Sequence, residues 1–259
     1  MISTILFDLD ETLIEDGRVS RAAFAAAAAL AADRGLNTAR LAQDAADAAV
    51  RRWRQSPYFE YADRIGHSSW EGLWARYDRG EHPAIAGLRG WAGAYRIAVW
   101  QDALSAQGAA DEELAAAMAG RFFTERRRYP LYPEVEGLLA ALEGRYKLGI
   151  VTNGVPDLQR EKIAGCGIAG RFQASVVSGE IDCGKPDPGI FRQICAELGV
   201  SPSECVMVGD NPARDVAGGR AAGMRTVWVE RDGRPRDDRY PADLECTDLS
   251  AILPGLASL

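Results

Sequence analysis

Four short apolar runs, YKLGIVTNG, ASVVSGE, ECVMVGD and MRTVWVE, each break off at a glycine or a polar residue. Stretches with helical periodicity separate them, near residues 156–165, 188–199 and 212–222. Runs so short and so continuously apolar have no solvent face. They predict strands covered by helices on both sides, which means a parallel sheet in an α/β fold. A fifth run, Thr4–Phe7, has no hairpin partner nearby and is expected to join the same sheet. Residues 16–130 read differently: good helix formers and apolar periodicity persist throughout, no β-rich run interrupts them, and five of the six tryptophans fall there. The Ala-rich segment RAAFAAAAALAADRGL closes on Gly35, a natural helix stop. The expected organisation is therefore a core from residues 1–15 and 131–259, with a helical insertion at 16–130 acting as a cap.

Bulk properties narrow the classes of function. The chain has 259 residues, a formal net charge of −7 and a pI near 5.1, so a nucleic-acid partner held by general charge attraction is not expected. The short arginine cluster at 126–128 reads as a solvated helix end. Five scattered cysteines form no CxxC pair, which points to reduced thiols in a cytoplasmic protein, without a disulfide framework or zinc spacing. No apolar run approaches the ~20 residues of a membrane span. The N-terminus MISTILFDLDE lacks a basic flank and turns acidic at once, unlike a signal peptide.

Ligands of open parallel sheets bind beyond the carboxyl ends of the strands. There the first run delivers Asp8 and Asp10, YKLGIV delivers Thr152 and Asn153, and ECVMVG delivers Asp210, with Asp215 shortly after. Lys185 lies in the loop GEIDCGKPDPGIF. Four carboxylates gathered on one rim repel unless a hard cation compensates them, and Mg²⁺ takes this kind of set together with waters and a phosphate oxygen. An EF-hand starting at Asp8 fails, because its sixth and twelfth positions are Leu13 and Val19 where Gly and Glu are needed. With a metal present, one carboxylate can attack phosphorus while a second, two residues on, serves as acid and base. A hydroxyl, an amide and an ammonium suit the charge on a transferring phosphoryl group, and Thr152, Asn153 and Lys185 supply them.

FDLDETL, VTNG, GKPDP and GDNPARD, in this order, resemble the four motifs of the haloacid dehalogenase-like hydrolase superfamily, and specifically its phosphatases with a subclass I helical cap. The segment SGEIDCGKPDPGIF and the cap placement are similar to the N-acylneuraminate-9-phosphatases and pyrimidine 5′-nucleotidases. The resemblance implies a Rossmann-like core and a Mg²⁺-dependent phosphatase acting through an aspartyl-phosphate on a small phosphorylated metabolite: a sugar, sugar acid or nucleoside phosphate. It implies Asp8 as nucleophile and Asp10 as acid–base group, with the Asp10 carbonyl also on the metal. It implies Thr152, Asn153 and Lys185 on the phosphoryl group, and Asp8, Asp210 and Asp215 about Mg²⁺, Asp215 directly or through water. A cis Lys185–Pro186 peptide, no membrane partner, and a monomer or homodimer are expected with it.

Alternatives are weighed by the same residues. Dehalogenation needs neither Asp10 nor a metal. Phosphonate hydrolysis in the family uses a cap lysine, and 17–129 contains none. A sugar phosphomutase shares all four motifs, although Thr12 fits phosphatases better. A non-catalytic binding module would tolerate loss of Asp8 and Asp10. The tryptophans of the insertion read as its core, His67 and His82 as isolated residues, and VAGGRAAG as a helix-packing segment lacking the Lys-Ser/Thr of a P-loop.

Overall fold

The computed structural model describes residues 1–231, 236–256 and 259; 232–235 and 257–258, which fall in the expected core stretch 131–259, lie outside the described residues. Two compact units make up the chain. One comprises Met1–Asp16, Tyr129–Gly154 and Gln159–Leu259, the other Gly17–Arg128 and Val155–Leu158.

The first unit holds β1 (Thr4–Phe7), and after the insertion α7 (Val135–Leu142) and β2 (Lys147–Thr152). Then come α8 (Pro156–Gly165), whose first residues group with the other unit, β3 (Ala174–Val177), α9 (Ser178–Ile181), α10 (Pro188–Leu198) and β4 (Cys205–Gly209). The unit ends with α11 (Ala217–Ala222), β5 (Arg225–Val229), β6 (Leu244–Cys246) and α12 (Ile252–Gly255). The six strands form one parallel sheet in the order β3-β2-β1-β4-β5-β6. Strand alternation sends Ile5 and Phe7 into one core with Ile150, Val208, Val227 and α7, while Leu6 enters the other with Val151, Met207, Phe191 and Ile194. Fully burying such a side chain contributes about 1.5–3 kcal/mol, so both faces of the sheet are committed to helices. Glycine spacing in VAGGRAAG serves packing: a Cβ at Gly218 would run into the Phe191 ring. Strand β6 is not legible in the sequence, since its three residues Leu-Glu-Cys carry too little pattern. The helical stretch expected at 212–222 begins as a π-helical turn, Pro212–Val216, before α11.

The chain runs from β1 outward to β2 and β3, then returns across β1 to β4 and continues to β5 and β6. The reversal point lies between β1 and β4, where Phe7 pairs with Val208. A crevice at the carboxyl end of such a reversal is the expected ligand site.

The second unit is helical: α1 (Asp16–Ala28, grouped from Gly17), α2 (Thr38–Arg54), α3 (Phe59–Arg64), α4 (Ser69–Gly72), α5 (Pro83–Ser105) and α6 (Glu112–Glu125). Its core is aromatic, with Trp53, Trp74, Trp100, Tyr95, Phe24 and Phe122 buried. Arg52 clamps Asp102 through two bonds of 2.7 and 2.6 Å, tying α2 to α5. One sequence expectation is corrected here. Arg126 is not a solvated helix end; it is fully buried, with its guanidinium 4.7 Å from the Trp74 ring centroid, because a planar, weakly hydrated cation stacks where an ammonium would not. His82 caps α5 by accepting from the Ala84 N–H. Asp157 accepts from the Arg76 and Tyr77 N–H groups and so fixes Tyr77 in the left-handed region at φ 57°. Among the described residues, no helix is long and apolar enough to cross a membrane.

Candidate active site

Strand β1 ends at Phe7 and hands the chain to Asp8, whose N–H donates to the Val208 carbonyl at 2.9 Å, extending the sheet by one bond. Strand β4 ends at Gly209 and hands it to Asp210. Neighbouring parallel strands lie about 4.8 Å apart, so residues leaving them in register are forced close together. The π-helical turn then brings Asp215 back under the rim. One carboxylate oxygen from each of Asp8, Asp210 and Asp215 lies within 4.8 Å of the other two, and all three residues are buried. Asp215 accepts from the Asn211 N–H at 3.0 Å. Gly209 makes room for it, since a Cβ there would collide with the Asp215 carboxylate.

Lys185 stands among these acids. Its Nζ is 2.7 Å from Asp8 Oδ1 and 2.7 Å from Asp215 Oδ1. Burial disfavours the ammonium, but Asp215 and Asp8 outweigh it, and the Lys185 pKa lies above its ordinary value. Burial pushes the Asp215 carboxyl up to about 6: Lys185 pulls against this and Asp8 adds to it, since one ammonium is divided between two carboxylates. The Lys185–Pro186 peptide is cis. Thr152 and Asn153 close β2. The Asn153 amide is engaged with the Lys185 backbone in both directions, donating to its carbonyl at 3.0 Å and accepting from its N–H at 2.8 Å. It braces the loop that carries the lysine. Thr152 Oγ1 donates to Gln159 Oε1 at 3.2 Å.

Asp10 stands outside the three-carboxylate group. Both its oxygens accept from Lys162 Nζ, at 2.9 and 2.8 Å, and Oδ2 also accepts from Gln159 Nε2 at 3.3 Å. Neither Gln159 nor Lys162 is anticipated from the sequence. The available signal is their spacing: three residues apart, they share one face of α8. A charged residue in QREKIAG reads as solvent-facing until its burial is known.

The donor set suits a hard divalent ion: three carboxylates from two strand ends and one turn, converging within 4.8 Å. With an ammonium wedged between a prospective nucleophile and a prospective metal ligand, the arrangement can neutralise and hold an anionic group arriving at Asp8.

A family model described as haloacid dehalogenase-like hydrolase matches residues 2–223. The phosphoserine phosphatase of Thermus thermophilus is 45% identical over 249 residues, 96% of either chain. The human N-acylneuraminate-9-phosphatase is 38% identical over 53% of this chain and 57% of its own. Among solved structures, a 2-haloacid dehalogenase from Pseudomonas syringae superposes with a TM-score of 0.62 at 26% identity, covering 100% of this chain and 99% of that one.

Proposed function

The chain belongs to the haloacid dehalogenase-like hydrolases, and from that premise we propose that it is a Mg²⁺-dependent phosphatase of small phosphate monoesters. In this reading an Asp8 oxygen attacks phosphorus, the ester P–O bond breaks, and its electron pair leaves on the alcohol oxygen, which takes a proton from Asp10. Water then attacks the phosphorus of the aspartyl-phosphate, Asp10 accepts a proton from it, and cleavage of the Asp8 O–P bond releases phosphate. Lys185 holds the nucleophile and meets the equatorial phosphoryl oxygens; Thr152 and the turn at Asn153 complete their binding. Mg²⁺, held by Asp8, Asp210, Asp215 and the Asp10 backbone carbonyl, would supply charge neutralisation that lets a carboxylate approach a phosphoryl group. Phosphate monoesters resist hydrolysis so strongly that accelerations approach ~10²¹-fold, which demands this concentration of fixed charge.

The buried Asp8–Lys185–Asp215–Asp210 group is the single observation that carries the proposal. The likeness to the Pseudomonas syringae dehalogenase supports a second reading, but halide displacement has no use for three carboxylates around a cation site or for Asp10. Phosphoserine stands first among substrates, because a relative bearing that name matches over 96% of both chains, whereas the N-acylneuraminate-9-phosphatase matches over 57% of its own length.

Phosphate release from L-phosphoserine and a panel of sugar, sugar-acid and nucleoside phosphates tests the reading. Activity should require Mg²⁺ and fall at least about 10⁴-fold in Asp8→Asn, as for loss of a covalent nucleophile. Halide release from 2-chloropropionate without added metal, or an unchanged rate in Asp8→Asn, would sink it.

A further inference from the structure

Lys162 is completely buried on α8, with Asp10 at 2.8 Å and Asp16 at 3.4 Å. An ammonium removed from water is a poor choice for stability, since an apolar side chain of similar length fills the same space without desolvating a charge. What the lysine does achieve is control of Asp10. The terminal torsion of an aspartate is soft and broad, so the carboxylate keeps one orientation only if its oxygens are held. Here Lys162 takes both oxygens and Gln159 takes one of them. Gln159 in turn accepts from Thr152, the residue that ends β2. The approach depends on Gly154, which sits at φ 140°; a Cβ there would lie 2.6 Å from the Gln159 amide nitrogen. Three segments, the Asp10 turn, the end of β2 and α8, thus converge on one carboxylate.

We propose that Gln159 and Lys162 form a two-point clamp that fixes the Asp10 carboxylate in the orientation from which it exchanges protons with the leaving alcohol and the attacking water. Both are positioning residues, and the proposal rests on the reading of Asp10 as the acid–base group. Misplacing a catalytic group by an ångström can cost on the order of 10²-fold in rate, which sets the size of the effect.

The test separates proton transfer from everything else by changing the leaving group. An alkoxide needs a proton to depart, whereas nitrophenolate does not. Single-turnover release of serine from phosphoserine, or of the alcohol from the best alkyl substrate of the panel, is compared with nitrophenol release from p-nitrophenyl phosphate. Lys162→Met should slow alkyl release about 100-fold and nitrophenol release less than about fivefold, with KM within about threefold. Gln159→Leu should act in the same direction at about tenfold, and it introduces no unpaired buried charge should Lys162→Met fold poorly. Asp10→Asn, run alongside, tells the two readings apart. If Asp10→Asn discriminates between leaving groups and neither clamp variant does, the clamp is overturned and Asp10 keeps its role. If Asp10→Asn shows no discrimination, the acid–base reading falls and the clamp falls with it. A readout without turnover comes from melting of the metal-free proteins. Lys162→Met and Asp10→Asn should each lower Tm, and the double variant should lose less than the sum. Strict additivity would show that the pair is not coupled and would overturn the clamp.

Discussion

Lys185 and Lys162 are both buried, both lie between two carboxylates, and each holds one of two aspartates that stand only two residues apart in the chain. Their settings differ. Lys185 rises from a loop into the crevice between β1 and β4, where Asp8, Asp210 and Asp215 crowd together. Lys162 comes from the middle of a helix and meets Asp10 away from that crowd. The same ion-pair chemistry thus serves two purposes. In the first region a fixed cation is shared among acids that also suit a metal, and the cluster is charged for work on an anion. In the second, an ammonium and an amide leave one carboxylate with little freedom to turn.

Removing each lysine should expose this difference, with the larger effect at Lys185. In the proposed reaction Lys185→Met deletes a donor to the transferring group, and losses of one such donor run to about 10²–10³-fold in kcat. The loss should be similar for alkyl and aryl phosphates, because charge on the phosphoryl oxygens develops with either leaving group. Steady-state rates on both substrates check this. A leaving-group preference in Lys185→Met like that expected of Lys162→Met would erase the distinction between the regions.

Proton and metal should compete in the first region only. Burial holds the Asp215 carboxyl up near 6, above its ordinary value, so the folded metal-free protein binds that proton more tightly than the unfolded chain does. Its contribution to stability is therefore fully present below the ordinary carboxylate pKa and is lost as the pH rises to about 6. Mg²⁺ requires the ionised form. The rise in Tm on adding Mg²⁺ should be large above pH ~6.5 and shrink steadily below ~6. The Tm deficit of Lys162→Met should be the same with and without Mg²⁺. Thermal melts across pH check both statements; a Mg²⁺ increment independent of pH would show that Asp215 is not part of the cation site.

The two regions also differ in what the sequence reveals. Asp8, Asp210 and Thr152 are legible because each follows a continuous apolar run, and a parallel sheet places the ends of such runs on one rim. Lys185 is legible through the Gly and Pro beside it and its place in the motif order. Lys162 is not, because the burial of a helical lysine depends on what packs against α8, and local pattern carries no trace of that. Arg126 illustrates the same blindness from the opposite side: a triple arginine at a helix end looks solvated, yet the first of the three lies over the Trp74 ring. The Asn153 side chain braces the Lys185 backbone, a contact that local sequence does not show. Residue type was readable there, but the direction of the amide was not.

The smallest effect belongs to Asp16, and it bears on why Lys162 can stay charged at all. In the proposed reaction the Asp10 carboxylate spends part of each turnover neutral, and at that moment Asp16, at 3.4 Å, still offers Lys162 a full countercharge. An ammonium left alone in a buried position would be strongly disfavoured. On the proposed reading, Asp16 keeps the clamp in place through the part of the cycle in which Asp10 carries the proton. Asp16→Asn retains the shape and a polar oxygen while removing the charge. In the resting protein, where Asp10 already compensates Lys162, the loss should be the smaller one, because the buried ammonium keeps a paired carboxylate. In the Asp10→Asn background the same substitution should cost clearly more, because it removes a second carboxylate facing the lysine. Chemical denaturation of the two single variants and the double variant measures the difference. Equal costs in both backgrounds would mean that Asp16 does not serve as the second countercharge.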